Sequence, residues 1–207
     1  MRRLAASAVL LLVGGCLGSA PPVPRDHYYR VLVSAPARSA LPLLPGVLVV
    51  APLEADGLLH ERPLLYSASG QPVEMQQHDY HYWIDPPPRM LQAQLVDYLR
   101  SSGLAATVVT PDLRVKADYE VSGRIKRLER LLGGGPPRVV AELELALVAT
   151  ASKRLILVQT YTAEVPSADD SVGASIAALN LALGRIFERF LNDTGSSKAA
   201  TAPAESG

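Results

Sequence analysis

Val139-Val-Ala-Glu-Leu-Glu-Leu-Ala-Leu147 decides the fold. Val139, Ala141, Leu143, Leu145 and Leu147 recur at every second position, with Glu142 and Glu144 between them. A period of two is that of a β-strand, whose successive side chains point to opposite faces. One face of this strand must be buried, and the other carries carboxylates into water. The pattern continues on both sides. Upstream, Tyr119, Val121, Gly123 and Ile125 alternate, and downstream Leu155, Leu157, Gln159, Tyr161 and Ala163 share one face. Gly133-Gly-Gly-Pro-Pro137 separates the first two strands as a flexible hairpin loop, and Ser152-Lys153-Arg154 turns the next pair.

A sheet with one apolar face needs a cover. Residues 170–191 supply it: Val172, Ile176, Leu179, Leu183, Ile186 and Phe190 step by four and three, the spacing of a helical stripe. Asp169 and Asp170 stand at the positive end of that helix, and Arg185 and Arg189 near its negative end. A second helix is predicted to open at Asp85-Pro86, with Asp85 as the cap and Pro86 at the first helical position, where its missing N–H costs nothing. Leu91, Leu95, Tyr98 and Leu99 form its apolar face, and Gly103 is placed to end it. Shorter strands are predicted over residues 28–33, 46–51 and 105–109. A hairpin is predicted between 64–67 and 73–77. This order specifies a single α+β domain: a largely antiparallel or mixed β-sheet with two main helices packed on one face. It occupies residues 27–192.

The flanks are of another kind. Residues 1–15 read as a signal peptide, with Arg2 and Arg3 ahead of an apolar core at 5–13 that falls short of the ~20 residues a spanning helix needs. Val13-Gly14-Gly15-Cys16 resembles the bacterial lipobox, in which the cysteine sulfur takes a lipid and the chain is cut before it. Cys16 is the only cysteine, so no intramolecular disulfide can form. Residues 16–26, with Pro21, Pro22 and Pro24, form an extended tether. Residues 193–207 lack apolar periodicity and are expected to be disordered. Leu17 follows the cysteine; an Asp there usually signals inner-membrane retention in lipoproteins of this kind, so its absence favours the outer membrane, with the domain facing the periplasm. The chain carries 20 basic and 20 acidic residues, and loss of Arg2 and Arg3 leaves 18 against 20. Such a balance gives no sign of a nucleic-acid partner.

No catalytic constellation stands out. The chain lacks a nucleophile elbow, a phosphate-cradling P-loop and a His-Glu-x-x-His pair. His78-Asp79-Tyr80-His81 carries ligand-like side chains, but on an extended strand His78 and His81 face opposite ways. Polar loop residues leading into Trp83 are the simpler reading, with no metal site. Glu142 and Glu144 mark the wet side of their strand. The segment Tyr80-His-Tyr-Trp83-Ile-Asp-Pro-Pro-Pro-Arg89 concentrates aromatics and an arginine ahead of a helix. Trp83 can plug the helix start. Tyr82, Trp83 and Arg89 are candidates for a partner surface, because aromatics and Arg are enriched in binding hot spots.

These features together resemble the ABC-type transport auxiliary lipoprotein family. The resemblance rests on the lipobox, the Tyr28-Tyr-Arg-Val-Leu32 strand, Leu44-Pro-Gly-Val-Leu-Val-Val50, the 56–66 loop and Tyr82-Trp-Ile-Asp-Pro-Pro-Pro-Arg-Met-Leu91, and it spans residues 27–191. It implies a non-enzymatic, outer-membrane-anchored component of an intermembrane (phospho)lipid transport system. That component docks a periplasmic protein of the mammalian-cell-entry type, as a monomer or a homo-oligomer. No cofactor is expected beyond the lipid on Cys16. The alternative is a carrier lipoprotein whose own apolar groove shields an acyl chain. The two differ in whether the helices cover the apolar face of the sheet completely.

Overall fold

The computed structural model describes residues 24–69 and 73–199. The expected signal peptide, the expected lipobox with Val13, Gly14, Gly15 and Cys16, and the end of the tail lie outside the described residues. The three long strands form as the alternation predicts: β7 (Tyr119–Leu131), β8 (Arg138–Ala149) and β9 (Arg154–Pro166). β8 pairs antiparallel with both neighbours. Val139, Ala141, Leu143, Leu145 and Leu147 are all fully buried. On the opposite face Glu144 pairs with Lys126 at 3.0 Å, and Glu142 accepts a hydrogen bond from Thr162 at 3.1 Å.

β7 is the spine of the sheet. One edge is taken along its length by β8. The other edge holds three strands end to end, all parallel to it: β2 (Leu44–Val50) at residues 119–121, β3 (Glu54–Ala55) at 124–125 and β4 (Pro63–Ser67) at 129–131. Two arms extend from there. β6 (Ala105–Val109) lies parallel outside β2. On the other arm β5 (Gln76–Trp83) lies antiparallel outside β4, and β1 (His27–Tyr29) lies parallel outside β5. The sheet is therefore mixed. Its antiparallel part is the β7–β8–β9 meander and the β4–β5 hairpin. The parallel part arises because β2, β3 and β4 are successive lengths of chain laid in one direction, and because the return to β6 passes through a helix, the crossover a parallel strand requires.

Both helices cover the same face. α1 (Pro87–Ser102) starts later than Asp85-Pro86 suggests: Pro86 is extended, at ψ 137°, and two prolines occupy the first helical positions. A residue that precedes proline resists the α region, so the proline run delays the start until the missing N–H groups fall in the first turn. Gly103 ends α1 at φ 70°. α2 (Val172–Ala199) is capped by Ser171, whose Oγ accepts the Ala174 N–H at 3.1 Å. It runs further than expected. Residues 193–199 continue the helix rather than starting a disordered tail, and Thr194 is fully buried with its hydroxyl on the Phe190 carbonyl. Tyr98 of α1 meets Phe187 of α2 edge-on at 5.5 Å, which joins the two helices over one core.

The N-terminal strand is shorter than the predicted 28–33. After Tyr29 the backbone leaves the sheet as a strap. The Leu32 N–H donates to Asn180 of α2 and the Val33 N–H to Gln94 of α1, each at 3.0 Å. Helix side chains have taken the donors that a ladder would have used.

Candidate functional site

β5 carries the feature on which the site depends. Pro63 faces Tyr82 and Leu65 faces Gln77, so two steps along β4 match five along β5. The surplus residues form a bulge, with Tyr80 in the left-handed region at φ 60°. Bulges re-aim side chains, and a non-glycine residue at positive φ is retained only where its surroundings hold it there. Here the bulge turns His78 and His81 into the same cleft, their rings edge to face at 5.7 Å. The opposite-face placement expected for a regular strand does not hold, and these residues belong to β5 rather than to a loop.

A second bulge supplies the cleft's cation. The β7–β8 register slips between Ile125 and Arg127. Before the slip Val121 and Ile125 point into the core; after it Leu128 does, and Arg130 follows on the same side. Arg130 is 2% exposed. Its Nε donates to Ser175 Oγ at 2.8 Å, its Nη1 lies 2.6 Å from His78 Nε2, and its Nη2 donates to the Asp170 carbonyl. Burial, then the Arg130 charge and His81, lower the His78 pKa to about 4. His78 is thus a neutral acceptor through Nε2 near neutral pH, a role that commits this nitrogen to a guanidinium rather than to a metal ion. Tyr29 completes the wall, its hydroxyl 2.9 Å from His81 Nδ1. The cleft has a volume of about 630 Å³ and opens between these side chains and the first turn of α2.

The outer face of the same arm carries aromatics. The parallel β1–β5 register sets Tyr28 beside Tyr82, with ring centroids 5.8 Å apart. The Arg62 guanidinium lies 5.3 Å from the Tyr28 ring centre and its Nε donates to the Trp83 carbonyl at 3.0 Å. Tyr28 is 54% exposed. Of the three residues named from sequence for a partner surface, Tyr82 lies in this patch, half-buried. Trp83 does not belong to a surface: it is 2% exposed and is part of the hydrophobic core. Arg89 is exposed on another feature, an open groove of about 870 Å³ whose walls include Pro52, Pro86 and Pro88. Tyr28 and Arg62 were not legible as site residues, because nothing local joins them to Tyr82; the strand pairing does.

Residues 29–189 match the family model described as the ABC-type transport auxiliary lipoprotein component. The chain belongs to this family. Among curated proteins none matches the sequence. Among solved structures, protein XCC0632 from Xanthomonas campestris superposes with a TM-score of 0.73 at 23% identity, over 84% of this chain and 100% of that one. The hypothetical protein CT253 from Chlamydia trachomatis superposes with a TM-score of 0.51 at 12% identity, over 76% of this chain and 99% of that one. At these identities the likeness is one of fold. By its family this auxiliary lipoprotein is a cell-envelope component associated with ABC-type transport. Among its described residues no helix is long and apolar enough to cross a membrane.

Proposed function

We propose that this auxiliary lipoprotein is a non-catalytic docking component, held on the outer membrane by lipid on Cys16. Its role is to receive the mammalian-cell-entry-type periplasmic protein of an intermembrane (phospho)lipid transport system. The observation that carries the reading is the Tyr28–Tyr82–Arg62 patch. Two adjacent tyrosines, their rings tilted by 31°, and a guanidinium at the surface, on the arm next to the tether, are the residue types that dominate binding hot spots. The carrier alternative has less support. The apolar face of the sheet is filled: Leu143 and Leu145 of β8 and Leu183, Ile186 and Phe187 of α2 are fully buried against one another in a single core. In the open groove beside α1, Arg89 and the carboxylates of Glu54, Asp56 and Asp112 interrupt the apolar wall that Pro52, Leu53, Pro86 and Pro88 supply, and an acyl chain laid there would meet charged groups.

Co-purification of the mature lipoprotein with a mammalian-cell-entry protein of its own system tests the proposal. Tyr28→Ala and Tyr82→Ala should each weaken the complex by about tenfold or more, the scale of a hot-spot residue. Undiminished binding by the folded double variant would remove the patch from the interface. No complex at all between the folded wild-type proteins would refute the docking role.

A further inference from the structure

We propose that the cleft between Tyr29, His78, His81, Arg130 and the first turn of α2 is a binding site for a phosphate group, carried by an anionic lipid headgroup or free in solution. The central observation is the charge on Arg130. It is 2% exposed, yet all three of its protein partners are neutral: a hydroxyl, an imidazole and a backbone carbonyl. Among the described residues no carboxylate oxygen lies within 4.0 Å of its guanidinium, whereas Arg124, Arg127 and Arg138 all have such a partner. A buried cation with no carboxylate in contact is costly, which is why buried cations are as a rule paired. Of its five N–H donors, three are used, which leaves one on each of Nη1 and Nη2 for a ligand.

The surrounding groups fit an oxyanion. Val172 and Gly173 line the cleft, and their N–H groups, at the start of a 28-residue helix, have no acceptor among the described residues. Backbone donors and a positive dipole end favour an anion there. Donors therefore converge from β7 and α2. The neutral His78 holds Nη1 in place, and the bulge at Tyr80 brings His81 with the Tyr29 hydroxyl to the opposite wall. One carboxylate, that of Asp170, belongs to the cleft's lining, and a second precedes it in the chain. Asp170 is exposed, and its charge favours the Arg130 cation from a distance without an ion-pair contact; its neighbour Asp169 is exposed and occupied by the Ser171 N–H at 2.8 Å. They limit how much negative charge the cleft accepts and suit it to the single charge of a phosphodiester. The cleft also lies on the side where the chain enters. Tyr29 is 13 residues from Cys16, a span of at most about 45 Å fully extended, so a lipid-anchored chain keeps the cleft within reach of headgroups.

The test uses the full mature chain with Cys16→Ser, so that no acyl chain contributes to binding. Inorganic phosphate is titrated while the Val172 and Gly173 amide resonances are followed, and flotation is measured on phosphatidylcholine vesicles with and without phosphatidylglycerol. Saturable shifts at these two amides are expected. Arg130→Gln should weaken binding at least tenfold. Gly173→Asp is the control against misfolding: a Cβ there meets nothing within 4 Å, and Asp suits a first helical turn, so the fold should survive while the added carboxylate blocks the site. Phosphatidylglycerol-dependent flotation that phosphate competes away identifies a headgroup as the ligand. Phosphate binding without flotation identifies the free ion. The proposal fails if neither probe binds, or if binding persists in a folded Gly173→Asp variant.

Discussion

The Val47 N–H donates to Asp118 Oδ2 at 2.8 Å, and that same oxygen would lie only 2.1 Å from a Cβ placed on Gly46. Gly46 sits at φ 93°, where β2 slips register against β6. Gly46→Ala therefore meets a strained backbone and displaces the acceptor. The expected cost is about 2–4 kcal/mol, from positive-φ strain of roughly 1–3 and a lost hydrogen bond of roughly 1. Asp118→Ala alone should cost about 1 kcal/mol. Urea denaturation of the two single variants and the double variant checks this. The double should be less destabilised than the sum, because removing the carboxylate also relieves the clash.

Trp83 and Tyr82 are adjacent but serve different ends. Trp83→Ala should destabilise the fold by about 3–5 kcal/mol, as expected when a large buried aromatic is truncated. Tyr82→Ala should change stability little and partner binding strongly. Thermal melts beside a binding assay separate the two. Equal melting temperatures for the two variants would contradict this division.

His78 sets a pH dependence with a definite sign. Its folded pKa, about 4, lies below the ordinary 6.5 because of burial first and the Arg130 charge second. The unfolded chain therefore binds the proton more readily. Stability from this group is complete above the unfolded pKa and declines as the pH falls from about 6.5 towards 4. His81, lowered by burial and by His27, acts in the same direction. His78→Gln should flatten this part of the stability–pH curve, measured by denaturant melts at half-unit intervals. An unchanged slope would show that His78 titrates normally in the folded protein.

Cys16→Ser tests the anchor apart from the fold. The variant should give the wild-type circular dichroism spectrum and melting temperature, while the protein moves from the membrane fraction to the soluble periplasmic fraction. Under the proposed docking role, loss of transport should accompany that shift. A variant that still fractionated with the outer membrane in cells lacking its partner would show that attachment does not depend on the lipid.

The parts of the fold that were legible in the sequence are those where one periodicity runs unbroken. Val139 to Leu147 alternate without a slip, and Ile176 to Phe190 hold a helical stripe, so β8 and α2 could be read directly. β5 was hidden because Gln76 to Tyr82 are mostly polar and a bulge interrupts them. Arg130 was hidden by the register slip near Lys126: extended without interruption, the Val121–Ile125 pattern would send it to the wet face. The patch at Tyr28 was hidden for a third reason. Its partners stand 34 and 54 residues away, and only the β1–β5 pairing brings them together.

β1 is only three residues long, yet it is the point where the chain enters the described domain. If the lipid holds one end and a large partner tugs on the domain, that load reaches the fold here first. A pull along β1 strains its ladder bonds to β5 in shear, so that they resist together rather than peeling away singly. Behind them the strap is fastened to Asn180 and Gln94. A tug that overcame β1 would next meet both helices, and through them the whole core. In mechanical terms β1 and the strap act as a strain relief: a short coupling that can yield while the domain it protects stays folded. Force spectroscopy with the load applied at the N-terminus would resolve this as a small early yield ahead of the main unfolding event.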